Sequence, residues 1–144
     1  MPLFVTRFLA KAKSFTVQPH EQWLARAEED LSFAQLGFRE KYFSQVCFLS
    51  QQVVEKALKA FLLAKARSFP RIHRVVELVK LCSELASDLE ALKNELKLLD
   101  EFYIPTRYPD AIPGGLAEGL PSAEDAKVAL ETAAKVLELV RNRV

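Results

Sequence analysis

Five features of this 144-residue chain hold residue types that could do chemistry. The segment Tyr103-Ile104-Pro105-Thr106-Arg107-Tyr108-Pro109-Asp110 gathers two phenols, a guanidinium and a carboxylate. Tyrosine rings can stack on bases, and the arginine fork suits phosphate oxygens. The plainer alternative is a proline-fixed loop whose aromatics pack onto the rest of the protein. Gln51, Gln52, Glu55 and Lys56 set hydrogen-bonding groups in an otherwise apolar stretch. They are either a solvated stripe or a polar seam at an interface or site. Asp30 shares a helical arc with Trp23, Ala27 and Ala34, and a carboxylate on an apolar stripe needs a partner. A structural ion pair with a basic residue of a neighbouring helix is the expectation. His73 stands where a helix should begin, and a structural role there, capping or bonding backbone groups, is expected. Gly114-Gly115 lacks the lysine and the serine or threonine of a phosphate loop, so it reads as a hinge.

The same inventory excludes other chemistry. His20 is the only second histidine, so a multi-histidine metal site is ruled out and no nucleophilic triad is visible. No metal and no cofactor are expected. Cys47 and Cys82 are too few for a disulfide framework or a zinc knuckle, and both sit among apolar neighbours. They read as small core residues in a reducing compartment, which points to the cytoplasm.

These groups need a scaffold, and the apolar spacing supplies one. Half of the residues are hydrophobic, enough for a core. Twenty basic residues nearly cancel nineteen acidic ones, so the chain as a whole is no nucleic-acid coat. No apolar run reaches the roughly 18 residues of a membrane span. Residues 1–17 carry Arg7, Lys11 and Lys13 without an acid, and Arg7 interrupts any apolar run of signal-peptide length. Leu3, Phe4, Phe8, Ala12 and Phe15 fall near helical spacing, so this is read as an accessory amphipathic segment docking on its own domain or on a partner.

From residue 18 to 144 the pattern is helical throughout. A helix is expected from near Pro19 to Arg39. A second runs from about Lys41 to Arg67 and is apolar on most of its circumference, which marks it as central. Its polar stripe is Gln45, Gln52, Lys56 and Lys59. Phe69-Pro70-Arg71 breaks it, and a third helix should begin near His73. Ser87-Asp88-Leu89-Glu90 reads as a capping box for a fourth helix, with Leu89, Leu92, Leu96, Leu99 and Phe102 or Tyr103 as its seam. A long loop is expected over 104–121, followed by a helix that opens at Ser122-Ala123-Glu124-Asp125. The class is all-α, an antiparallel up-and-down bundle of four to five helices. Charge is uneven along the chain: Lys56, Lys59, Lys65, Arg67, Arg71 and Arg74 come with no acid among them. That run is either ordinary surface complementarity or a phosphate-binding rim.

Taken together, Trp23, Ala27, Asp30-Leu31 and Ala34, then Tyr42, Cys47-Phe48, Ser50-Gln51-Gln52 and Glu55-Lys56-Ala57-Leu58-Lys59-Ala60, then His73, then Tyr103 and Thr106-Arg107-Tyr108-Pro109-Asp110 resemble the HEPN (higher-eukaryote and prokaryote nucleotide-binding) family. The resemblance covers residues from about 18 to 143. It implies a helical bundle that usually forms a homodimer. Many members are metal-independent ribonucleases or toxins, often encoded beside a nucleotidyltransferase partner, and others bind nucleotide or RNA without catalysis. The catalytic members set a histidine after an arginine with four to six residues between them. Arg107 matches that arginine, but Ile112, Pro113 and Gly114 stand where the histidine should be. Tyrosines, with ordinary pKa values near 10, are poor bases at pH 7. Ribonuclease activity is therefore disfavoured. The expectation is a dimeric module that binds nucleotide or RNA through Arg107, Tyr108, Tyr103, Asp110, Lys56 and His73. Asp30, Gln51, Gln52 and Glu55 form its structural polar network. A ribonuclease toxin and a ligand-free interaction module are the alternatives.

Overall fold

The computed structural model describes residues 17–107 and 119–144, leaving aside the side chains of 104–107. Five α-helices account for nearly all of them, and no strand occurs among the described residues. They are α1 (Pro19–Arg39), α2 (Phe43–Ala66), α3 (Val75–Leu85), α4 (Lys93–Arg107) and α5 (Ala123–Arg141). The accessory segment proposed for 1–17 lies, but for Val17, outside the described residues. No helix of the described part is long and apolar enough to cross a membrane.

Local chemistry sets most of the helix ends. Pro19 opens α1, where its missing N–H costs no hydrogen bond. Lys41 takes a left-handed backbone with φ 67°, which separates α1 from α2 within three residues. Arg67 does the same at the end of α2, with φ 64° and its N–H donating to the Leu63 carbonyl. Ser122 and Asp125 form the expected capping box. The Asp125 N–H donates to Ser122 Oγ at 3.1 Å, and the Ser122 N–H donates to Asp125 Oδ2 at 3.0 Å.

Two boundaries differ from the sequence expectation. Ser87 makes no side-chain cap, and 87–92 wind as a 3-10 helix before α4 begins at Lys93. Leu89 and Leu92 are buried within this segment, so tighter winding serves their burial rather than a capping box. The loop expected from Ile104 starts later, because α4 continues to Arg107. Pro105 falls in the last turn of α4, where little helix remains to be interrupted.

The bundle is organised around α2, which contacts all four other helices. Phe38–Phe43, Asp30–Lys56 and Lys59–Trp23 contacts run in opposite chain directions, so α1 and α2 are antiparallel. Gly37 lets them approach closely, since a Cβ there would meet Val46 Cγ2 at 3.2 Å. Gln51–Asp100 and Phe48–Tyr103 contacts show that α4 also runs antiparallel to α2. The core holds Val46, Cys47, Val53, Val54, Ala57, Leu58 and Phe61 of α2 against Leu78, Val79 and Cys82 of α3. Leu96, Leu99 and Phe102 of α4 and Ala133, Val136 and Val140 of α5 complete it. Of the alternatives for the α4 seam, Phe102 is buried and Tyr103 is partly exposed.

Residues 67–74 turn back along α2. His73 therefore comes level with Gln51 and Glu55, about three turns before α2 ends at Ala66.

Burial pushes the thiols of Cys47 and Cys82 up to about 12, with Asp125 adding to the effect at Cys47. Both stay protonated through the neutral range. A disulfide reagent added at pH 8 should label neither in the native state within minutes and should label both in denaturant. Replacing Phe61 with Ala should cost about 3–5 kcal/mol by urea unfolding, because its ring is 1% exposed at the bundle centre.

Candidate functional site

Of the polar residues singled out on α2, only Gln45 is exposed, and Gln52 and Lys56 are partly buried. Gln51 and Glu55 are buried, and so is Lys59, which the sequence pattern placed on the polar stripe of the helix. A helix surrounded by four others has no fully solvated side, so these groups find partners inside the protein.

Glu55 Oε2 accepts from Lys59 Nζ at 3.1 Å, one turn along the helix, and lies 3.4 Å from His73 Nδ1. The Lys59 ammonium also lies 5.7 Å from the Trp23 ring centroid and 5.2 Å from that of Phe69. These two rings meet edge to face at 5.0 Å. A desolvated ammonium is thus held by one carboxylate and two π faces. Among the described residues, Glu55 Oε1 and Ser50 Oγ are buried without a hydrogen-bond partner.

Gln51 Nε2 donates to the His73 carbonyl at 2.8 Å and reaches Asp100 Oδ1 at 3.3 Å. Gln51 Oε1 accepts from Gln52 Nε2 at 2.9 Å. Asp100 is the residue that the sequence reading missed. Its side chain is only 2% exposed. It accepts from the backbone N–H of Val75 at 2.9 Å and of Val76 at 3.0 Å. Helix α3 has no cap from its own N-cap residue, Arg74. Asp100 supplies it from α4, 24 residues away. His73, expected to cap, offers instead its carbonyl to Gln51 and its ring to Glu55. Only the position of Asp100 among the leucines of α4 could have drawn attention to it.

Asp30 behaves as expected. It pairs with Lys56 across α1 and α2, both partly buried. Tyr103 stacks on Phe48 with ring centroids 6.0 Å apart. Arg107 ends α4, seven residues beyond Asp100, but its side chain lies outside the described residues, as do Tyr108, Asp110 and the Gly114-Gly115 pair. The expected network Asp30, Gln51, Gln52 and Glu55 is thus two clusters. One joins Asp30 to Lys56, and the other joins α2, α3 and α4 around Asp100. The described residues hold no group of three or more His, Cys, Asp or Glu arranged to bind a metal.

Comparison with known proteins decides the family. The HEPN domain family matches residues 20–143. The chain belongs to the HEPN domain family. A structure from Thermus thermophilus, TT1696, superposes with a TM-score of 0.74 at 32% identity, covering 89% of this chain and all of that one. An archaeal HEPN homologue, ST0689, superposes with a TM-score of 0.68 at 30% identity, covering 88% and 98% of the two chains. A Methanocaldococcus jannaschii protein named "Putative toxin MJ1304" is 29% identical over 136 residues, covering 89% of this chain and 90% of its own. In this HEPN domain the polar clusters sit on helices that the family alignment spans.

Removing the Asp100 carboxylate orphans two helix-start amides and takes from Gln51 one of its two acceptors. Asp100→Ala should cost about 2–4 kcal/mol in urea unfolding, and Asp100→Asn clearly less. Lys59→Met alone should destabilise strongly, because Glu55 is left buried and unpaired. The double variant Glu55→Gln, Lys59→Met should recover most of that loss.

Proposed function

We propose that this HEPN domain is a non-catalytic, dimeric module that binds nucleotide or RNA, working with a nucleotidyltransferase partner. The observation that supports this reading is the anchoring of α4. Asp100 is tied to α2 and α3 by three hydrogen bonds, and Arg107 lies about two turns further along the same helix. A rigid helix that ends in an arginine suits a phosphate, because the guanidinium makes paired, directional hydrogen bonds to its oxygens.

In this reading Arg107, Tyr108 and Asp110 touch the ligand and Tyr103 backs them against Phe48. Lys56, engaged with Asp30, supports the site rather than contacting phosphate. His73 lines it from the α2–α3 connection. A second reading, a metal-independent ribonuclease toxin, draws on the name carried by the Methanocaldococcus jannaschii relative. The missing histidine after Arg107 weighs against it, since metal-independent cleavage needs a base for the 2′-hydroxyl proton.

Calorimetric titration of AMP, ATP and a short RNA tests both readings, with RNA integrity followed in the same samples. Arg107→Ala should weaken binding by about tenfold or more while the RNA stays intact. Unchanged affinity in that variant would overturn the site, and RNA cut by the wild type but not by the variant would favour the toxin. Light scattering should give about twice the 16.3 kDa chain mass.

A further inference from the structure

Four cations of the basic run remain at the surface once the internal pairs are made. Lys56 is taken by Asp30 and Lys59 by Glu55, which leaves Lys65, Arg67, Arg71 and Arg74. Among the described residues the first three make no ion pair, and Arg74 only reaches Asp100 at 3.9 Å. No acidic residue interrupts the chain between Arg67 and Arg74. Two of these cations, Arg71 and Arg74, bracket His73.

His73 is built in rather than merely exposed. Its carbonyl is held by Gln51, and the two amides that begin α3 just after it are held by Asp100. Its side chain is 62% exposed, yet Nδ1 faces the buried Glu55 carboxylate at 3.4 Å. A carboxylate on Nδ1 keeps a proton there, so Nε2 is the nitrogen left for a ligand. Glu55 Oε1, buried and without a partner among the described residues, leaves this carboxylate acceptor capacity beyond Lys59.

We propose that the α2–α3 connection carries a phosphate-binding site built on the His73 ring, for the phosphate of a nucleotide or of an RNA strand. The proposal deepens the nucleotide-binding reading and rests on it. The imidazolium donates Nε2–H to a phosphate oxygen, while Arg71 and Arg74 supply the flanking charge. Glu55 is a positioning residue that fixes the ring through Nδ1. The charged group in contact with the ring is Glu55 of α2; Lys59 pairs with the same carboxylate, and Asp100 of α4 holds the Val75 and Val76 amides and lies 3.9 Å from Arg74. Lys56 is neutralised by Asp30. Because a histidine ordinarily changes charge between pH 5 and 8 and a phosphodiester does not, an RNA strand is held more tightly at acid pH.

Two histidines make the test direct, since His20 serves as an internal control. The imidazole NMR signals of the full chain are followed while inorganic phosphate, AMP and a short single-stranded RNA are added, at pH 5.5 and pH 8.0. The expected result is a saturable response of His73 alone to inorganic phosphate and to AMP or RNA, with the RNA, whose phosphodiesters keep one charge across this range, bound about fivefold tighter or more at pH 5.5. His73→Gln, checked for an unchanged melting curve, should abolish that pH dependence, and Arg71→Ala should weaken binding at both pH values. A His73 signal indifferent to phosphate, or one that moves only in step with His20, overturns the site. Nucleotide binding that depends on Arg107 but leaves His73 silent refutes this inference and spares the proposed function. A His73 response to inorganic phosphate without any response to AMP or RNA leaves only an adventitious anion site and overturns this inference together with the nucleotide-binding reading.

Discussion

One buried carboxylate ties three of the five helices together. Asp100, on α4, accepts from the first two amides of α3 and from Gln51 of α2. A carboxylate with so little solvent contact is tolerable only when its oxygens are filled, and here the donors come from two other helices. The relation is mutual, because the start of α3 has no cap of its own and would otherwise leave N–H groups unsatisfied. The register of α4 against α2 and the entry point of α3 are thus a single condition. Tyr103 on Phe48, one turn beyond Asp100, continues the same register towards the end of α4.

The second constraint is the position of α2. In contact with all four other helices, it pairs most of the polar groups it carries away from its ends inside the protein. Lys59 shows how: its ammonium pairs with Glu55 and lies against the faces of Trp23 and Phe69. Such a pair adds little net stability over well-packed apolar residues, because desolvation offsets the attraction. It does discriminate between arrangements, since a shift of α1 or of the 67–74 connection would strand a buried charge. The polar spine of α2 therefore reads as a specification of which surfaces meet.

The same spine reaches solvent at one place. His73 stands over Glu55 with most of its side chain exposed, beside Arg71, which makes no ion pair among the described residues, and Arg74, which only reaches Asp100. Net charge near zero concealed this local asymmetry. The opposite signs are met elsewhere by pairs that cross the bundle, such as Arg141–Glu28, Arg143–Asp88 and Lys135–Glu95. The cations of the α2–α3 connection stay outside that arrangement.

Helix identity was legible in the amino-acid order, because 3.6-residue periodicity and local capping act over only a few residues. Pro19, the Ser122–Asp125 box and the continuous apolar surface of α2 each carried their meaning without a partner, and Asp30 announced its need for a cation by its place on an apolar arc. The motif residues likewise sufficed for the family. Tertiary structure decided what depends on neighbours far along the chain. The 67–74 connection doubles back, which no local pattern encodes, and that alone brings His73 to Glu55. Lys59 stands on a polar stripe by its spacing but is enclosed by Trp23 and Phe69. Asp100 looked like one more charge on an amphipathic helix, and only the arrival of α3 made it a cap. The apparent box at Ser87 failed for the same reason, since burial of Leu89 and Leu92 outweighed one exposed hydrogen bond.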